Sequence, residues 1–293
     1  MNSGNSGKPG ENPGGTPRPD AAPAIELRGA TKVFRTPSGA DHTAVRDLDL
    51  TVAQGEFVAV VGPTGCGKST TLTLVSGLEE PTEGEVLVGG EPVTGIRPEV
   101  GFVFQQDAVF PWRTVLANVM AGPRFRGVPK AEARERARDW LGRVGLAAFE
   151  DRYPHQLSGG QRKRVALAQT FVGDPAILLM DEPFSALDVQ TRALMSDELL
   201  ELWGGSRPDG RAAASVVFVT HDLEEAIALA DKVVVMTAGP ATVKEVFPID
   251  LPRPRRVESV RLEPRFIEIY REIWSSLGEE VRITRERGAA HVA

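Results

Sequence analysis

The stretch FVAVVGPTGCGKSTTLTLVSGL, residues 57–78, limits the possible folds more than any other part of the chain. Its first five residues, Phe57 to Val61, are an unbroken apolar run of the kind found in parallel strands buried on both faces. Three glycines, a lysine and three hydroxyls then fall within Gly62–Thr70, and a helical pattern follows. This fits G-x-x-x-x-G-K-[ST] at Gly62, Gly67, Lys68 and Ser69, in the strand-then-helix setting the pattern requires. Glycines let the backbone wrap closely enough for its N–H groups to face phosphate oxygens, and a helix N-terminus adds donors and partial positive charge. Lys68 would then bridge the β- and γ-phosphates of a nucleotide, and the Ser69 hydroxyl would ligate magnesium.

The same strand pattern occurs twice more, as ILLM before Asp181 and as VVFV (216–219) before Thr220 and His221. Ligands of open α/β sheets sit at the carboxyl ends of strands, so the three polar endings are expected to converge. Asp181 and Glu182 are adjacent carboxylates, and alternation along a strand points them in different directions. One can hold magnesium through its water shell while the other orients and deprotonates an attacking water. Such a pair alone often only caps a helix, but one strand away from a phosphate loop the chemical reading is favoured.

Around this centre, IELRGATKVF (25–34) and AVRDLDLTV (44–52) predict an antiparallel pair turning at 37–39, and EGEVLVGGEPV (83–93) predicts a hairpin. Ala133, Ala137, Trp140, Leu141 and Val144 share one helical face, as do Phe266, Ile269, Tyr270, Ile273 and Leu277. In QLSGGQRKRVALAQ (156–169), Ser158, Gly159, Gly160 and Gln161 stand at a helix start, either as a second anion site or as a plain serine N-cap.

A formal net charge of -6 without a long basic block argues against gripping bare nucleic acid. Cys66 is the sole cysteine, which suits a reducing compartment, and reads as a small loop residue rather than a catalytic thiol. Residues 1–24 read as a disordered tail and not as a signal peptide. No apolar run approaches the ~18 to 20 residues of a membrane span, so any membrane role must come through a partner.

Taken in order, GPTGCGKST, Gln105 in FVFQQ, LSGGQ, ILLMDEP, SALD (185–188) and His221 resemble the ATP-binding subunit of an ABC transporter over roughly residues 25–240. The resemblance implies an α/β fold. Its P-loop NTPase core would have a mostly parallel sheet, an N-terminal antiparallel β subdomain and an inserted helical lobe. The ATPase domain would span 25–247, with the lobe at about 107–165, followed by a C-terminal extension at 248–293 carrying an amphipathic helix.

It further implies ATP and Mg2+ as cofactors, with Phe34 stacked on adenine and Gly62, Pro63, Thr64, Gly65, Cys66, Gly67, Lys68, Ser69 and Thr70 around the phosphates. Gln105 would touch magnesium and the attacking water, Asp181 the metal, Glu182 would be the base and His221 would sense the γ-phosphate. Ser158, Gly159, Gly160 and Gln161 would serve the ATP of a second ATP-binding subunit in a head-to-tail homodimer. The segment DAVFPWR (107–113) would line a groove for membrane permease subunits. From the residues alone, Phe34 reads also as core, Gln106 can stand in for Gln105, a lone histidine is usually structural, and DAVFPWR reads also as a packed loop. Two positions depart from the family's common pattern: Phe34 replaces a tyrosine, and Gln169 stands where arginine is usual.

Only 89 residues separate Lys68 from Ser158, too few for the coiled coil of chromosome-type members, and the 72 residues after His221 leave no room for the regulatory β-domain of sugar-type importers. GPTGCGKST, FQQDAVFPW and the tail PIDLPRPRRVES are most similar to the nitrate/sulfonate/taurine branch. The expectation is an importer ATPase for a small anionic solute. It would sit on the cytoplasmic face of the membrane with a permease, and indirectly with a solute-binding protein. An exporter or lipoprotein-release ATPase, or a non-transport P-loop ATPase, are the alternatives.

Overall fold

The computed structural model describes residues 22–37, 39–106, 108–204 and 213–290. Most of the expected tail, residues 1–21, lies outside them; Ala24, assigned to that tail, is buried and donates its N–H to the Val52 carbonyl.

The predicted N-terminal pair forms as β1 (Ile25–Arg35) and β2 (Asp41–Val52), antiparallel, with Phe34 opposite His42. The predicted hairpin is β4 (Glu83–Val88) with β5 (Glu91–Pro92), and β4 pairs along the other edge of β1, giving a four-stranded sheet ordered β2-β1-β4-β5. The main sheet contains β3 (Phe57–Val61), β6 (Val100–Val103), β7 (Ile177–Asp181), β8 (Ser215–Val219), β9 (Lys232–Met236) and β10 (Val243–Pro248), in the order β10-β9-β3-β8-β7-β6. Every neighbouring pair in it is parallel except β10 with β9.

The continuous apolar runs follow from burial on both faces. Phe57, Ala59 and Val61 of β3, Leu178 and Met180 of β7, and Val216 and Phe218 of β8 point into one apolar cluster. Their neighbours Val58, Val60, Leu179, Val217 and Val219 point into another, shared with the small sheet. Helix α1 (Lys68–Ser76) follows β3 and packs in the second cluster through Leu72, Leu74 and Val75.

The helical lobe comprises α2 (Val115–Val119), α3 (Ala121–Phe125), α4 (Lys130–Arg143) and the start of α5 (Gly159–Phe171), around Val119, Ala133, Ala137, Leu141, Val144 and Val165. α5 does not stop at the expected lobe limit of 165. Its Leu167 and Phe171 continue into the main core, so one rigid helix joins lobe and sheet. Helices α6 (Val189–Gly204) and α7 (Leu223–Leu229) add to the same cluster, α7 lying against β3 and β9.

After β10 come α8 (Val257–Val260) and α9 (Pro264–Ala290). Phe266, Ile269, Ile273 and Leu277 of α9 are buried in the same cluster as Phe57 and Val216, as the 3.6-residue pattern predicted. The extension therefore shares the body's core. Among the described residues no helix is long and apolar enough to cross a membrane.

Candidate functional site

Strand register brings the predicted polar endings together. Val60 of β3 lies level with Val219 of β8, and Val219 with Asp181 of β7, while Met180 is level with Val103 of β6. Four adjacent strand ends thus deliver the Gly62–Thr70 loop, Thr220–His221, Asp181–Glu182 and Gln105 to one edge of the sheet. There a cleft of ≈ 610 Å³ is lined by Phe34, His42, Ala44, Thr64, Gly65, Gly67, Lys68, Ser69, Thr70, Gln105, Glu182 and His221. That volume lies within the ~300–1,000 Å³ of small-molecule sites.

Lys68 is buried, and its ammonium donates to the carbonyls of Gly62 and Pro63, each at 2.9 Å. An ammonium has three donors, so one remains for a ligand in the cleft. Gly67 (φ 124) precedes α1, and a β-carbon there would lie 2.5 Å from the Ala44 carbonyl oxygen, so only glycine fits. Gly62, Pro63 and Cys66 are buried on the inner side of the loop. Burial pushes the Cys66 thiol up, which keeps it protonated and supports its reading as an inert loop residue.

Asp181 and Glu182 have different neighbours, but not through strand alternation, because β7 ends at Asp181 and Glu182 follows it with a left-handed backbone. Burial pushes the Asp181 carboxyl's pKa up, with the Glu182 charge adding to the rise and the nearby Ser69 hydroxyl and Lys68 ammonium opposing it. Glu182 has φ 41, a left-handed backbone that costs a non-glycine residue about 1 to 3 kcal/mol, and its N–H is anchored on the Val219 carbonyl at 2.9 Å. Its Oε2 lies 3.0 Å from Nδ1 of His221 and 3.4 Å from the Gln105 amide nitrogen, which donates to it. A carboxylate only accepts, so the bond with the imidazole places the proton on Nδ1. Both bonds fall on one oxygen, leaving Oε1 for another partner.

The structure does not bring Ser158, Gly159, Gly160 or Gln161 into this cleft. They begin α5 as a capping box: the Ser158 hydroxyl accepts from the Gln161 N–H at 3.3 Å, and the Gln161 side chain accepts from the Ser158 N–H at 3.0 Å. The same helix carries buried Lys163, whose ammonium donates to the Gln105 carbonyl at 3.2 Å, a link the sequence reading missed. In the DAVFPWR segment, whose Asp107 lies outside the described residues, buried Asn118 bonds the Phe110 N–H and the carbonyls of Phe110 and Arg113. Its backbone is thus pinned while Trp112 stays 72% exposed beside the ring of Phe110.

His42 and Ala44 line the cleft without having been singled out. The signal was available: the expected antiparallel pairing of the first two strands sets residue 34 opposite residue 42, and His42 lies there beside Phe34.

Residues 45–185 match the family model described as ABC transporter. The chain is 45% identical over 257 residues to an uncharacterized ABC transporter ATP-binding protein of Methanocaldococcus jannaschii, covering 88% of this chain and 92% of that protein. It is 39% identical over 266 residues to the nitrate import ATP-binding protein NrtD of Synechocystis sp., covering 89% and 97% respectively. Among solved structures, a dimeric post-hydrolysis state of the ATP-binding cassette MJ0796 bound to ADP and Pi superposes with a TM-score of 0.67 at 31% identity, over 78% of this chain and 99% of that one. The chain belongs to the ABC transporter family as an ATP-binding subunit, and its reaction is ATP hydrolysis.

Proposed function

We propose that this ATPase powers import of a small anionic solute of the nitrate, sulfonate or taurine kind, paired with a second copy of itself beneath membrane permease subunits. The observation that carries the proposal is the similarity to a nitrate import ATP-binding protein over 89% of this chain and 97% of that protein's length. The dimeric form of the ADP-and-Pi-bound cassette supports the pairing. The absence of Ser158–Gln161 from the cleft of its own chain supports a composite site, since these residues remain available to a neighbour's nucleotide. The exposed Trp112 beside a pinned backbone supports the 108–113 segment as the surface a permease engages.

In this reading the adenine of ATP stacks on Phe34 and the phosphates lie along the N–H groups of Gly62–Thr70, with the free donor of Lys68 directed at the β- and γ-phosphates. Glu182 takes the proton of the attacking water on Oε1, while His221 and Gln105 hold Oε2 and so fix the carboxylate's orientation. Ser69, Gln105 and Asp181 fit a magnesium ion: all offer oxygen donors, and a cation there would stabilise the charged form of the half-buried Asp181 carboxyl, whose pKa burial raises. Magnesium bound there would neutralise charge on the phosphate oxygens.

The deciding experiment is uptake of labelled nitrate, sulfonate and taurine by cells with this chain deleted, complemented by wild type or by Lys68→Ala. Loss of uptake of one anion, restored only by wild type, is expected. Unchanged uptake of all three, with a secretion defect instead, would overturn the import reading.

A further inference from the structure

The nucleotide loop does not stand on its own strand alone. Its inner side rests on the segment that follows β9. A β-carbon on Gly62 would meet the Met236 β-carbon at 3.2 Å, and one on Gly67 would meet the Ala241 β-carbon at 2.8 Å. From the other side, a β-carbon on Gly239 would lie 3.9 Å from the Cα of Cys66. Three points of the loop therefore touch three points of residues 236–241.

That supporting segment is in turn held by the C-terminal helix. Glu280 of α9, buried to 6% exposure, accepts from the Ala238 N–H at 2.7 Å. One guanidinium nitrogen of Arg287, two turns further along α9, donates to the carbonyls of Ala238 at 2.8 Å and Gly239 at 2.6 Å. Lys244 of β10 clamps the same stretch of helix, with its ammonium 2.8 Å from Glu280 and donating to the Ser276 carbonyl at 3.0 Å. Both backbone groups of Ala238 are thus satisfied by side chains of one distant helix, although the two segments lie some 40 residues apart in sequence. A buried backbone N–H left without a partner costs about 1 to 3 kcal/mol, so the segment's position depends on that helix.

We infer that Glu280 and Arg287 are positioning residues for nucleotide binding: through the 236–241 segment, the C-terminal helix sets the shape of the Gly62–Thr70 loop. The inference rests on the reading of that loop as the nucleotide site. It makes the extension a working part of the ATPase and gives it a route by which anything displacing α9 lowers nucleotide affinity.

The sole cysteine supplies a direct probe, because Cys66 is 2% exposed and sits against the supporting segment. The full-length protein is compared with Glu280→Ala, Glu280→Gln and Arg287→Ala for labelling of Cys66 by a thiol reagent without nucleotide, for the Kd of a fluorescent ATP analogue, and for melting temperature. In Glu280→Ala and Arg287→Ala, labelling should quicken and the Kd should rise about five- to tenfold, a change worth about 1 to 1.4 kcal/mol. Glu280→Gln retains an acceptor for the Ala238 N–H and should stay within twofold of wild type in both readouts. Should Glu280→Ala fail to fold, the solvent-facing Arg287→Ala decides alone. Wild-type labelling rate and wild-type Kd in a folded Arg287→Ala variant overturn the inference, and so does faster labelling with unchanged Kd. Lys68→Ala, run alongside, separates the two readings: if it too binds the analogue like wild type, the fault lies in placing the nucleotide at this loop.

Discussion

Replacing Glu182 by glutamine keeps the side chain's size and its contact with Gln105 but removes the capacity to take a proton. Hydrolysis should fall by on the order of 10² to 10⁴ while ATP still binds. Asp181→Asn should behave differently, losing magnesium-dependent nucleotide binding itself, because Asp181 sits near Ser69 in the proposed magnesium site, whereas Glu182 is held by His221 and Gln105. Phosphate release and nucleotide binding on the two purified variants check this, and a Glu182→Gln protein with wild-type turnover would exclude Glu182 as the base. A second carboxyl matters for stability. Glu225 on α7 is buried, accepts from the Thr220 hydroxyl at 2.7 Å, and has its pKa pushed by burial from the usual 4.5 to about 7. The Asp222 charge adds to that rise, whereas the Thr220 hydroxyl bond, Arg192 and His221 act against it. With a raised value the native state holds a proton that the unfolded chain has lost between pH 4.5 and 7, so this group's contribution falls as pH rises through that window. Glu225→Gln, which cannot ionise, should match wild type near pH 4 and exceed it at pH 8 by up to about 3 kcal/mol. Urea midpoints at pH 4 and pH 8 measure it; an equal pH dependence in both proteins counts against the buried-carboxyl account.

At the scale of elements, the ends of α1 are fixed by glycines with different jobs. Gly67 opens the helix against the Ala44 carbonyl, and Gly77 closes it with φ 73, donating its N–H to the Leu74 carbonyl. A β-carbon on Gly77 would lie 2.0 Å from the Gly95 carbonyl oxygen, which is backbone and cannot swing away. Gly77→Ala should therefore destabilise by more than the ~1 kcal/mol of a left-handed alanine alone, about 2 to 4 kcal/mol, read as a lower urea midpoint. A change below 0.5 kcal/mol would mean that α1 and the Gly95 turn can separate freely. α5 illustrates a different economy. One helix carries the Ser158 capping box at its start, Lys163 holding the Gln105 carbonyl midway, and Phe171 in the main core at its end.

For the whole molecule, the cleft is lined by the four side chains expected to be catalytic, Lys68, Gln105, Glu182 and His221, but not by the group at Ser158, which in the proposed homodimer would be supplied in trans. Ser158→Arg should leave nucleotide binding to a single chain within about threefold of wild type yet abolish hydrolysis, because the added cation fills the space a neighbour's γ-phosphate needs. Full hydrolysis by Ser158→Arg would show that the helix start serves no composite site. In Glu182→Gln, uncleaved ATP should hold two chains together, visible as a nucleotide-dependent dimer on size exclusion.

The strand runs, the phosphate loop and the carboxylate pair were readable in the sequence because each depends on local pattern: continuous apolar stretches for two-sided burial, and glycines where a backbone must bend. Phe57 and Val58 could be assigned to a buried strand, and Phe266, Ile269 and Ile273 to one helix face, by period alone. What Glu182 touches was not readable, since its left-handed backbone and its bonds to His221 and Gln105 arise from residues 39 and 77 positions away. Nor were the short β6, with a glycine in its VGFV run, or the burial of Lys163, because pairing partners and carbonyl acceptors come from other elements. The sequence by itself determined which elements form and which residues carry charge and protons. Tertiary structure decided the register that levels four strand ends, the continuation of α5 into the core, and the packing of α9 behind the nucleotide loop, since each rests on contacts between segments far apart in the chain.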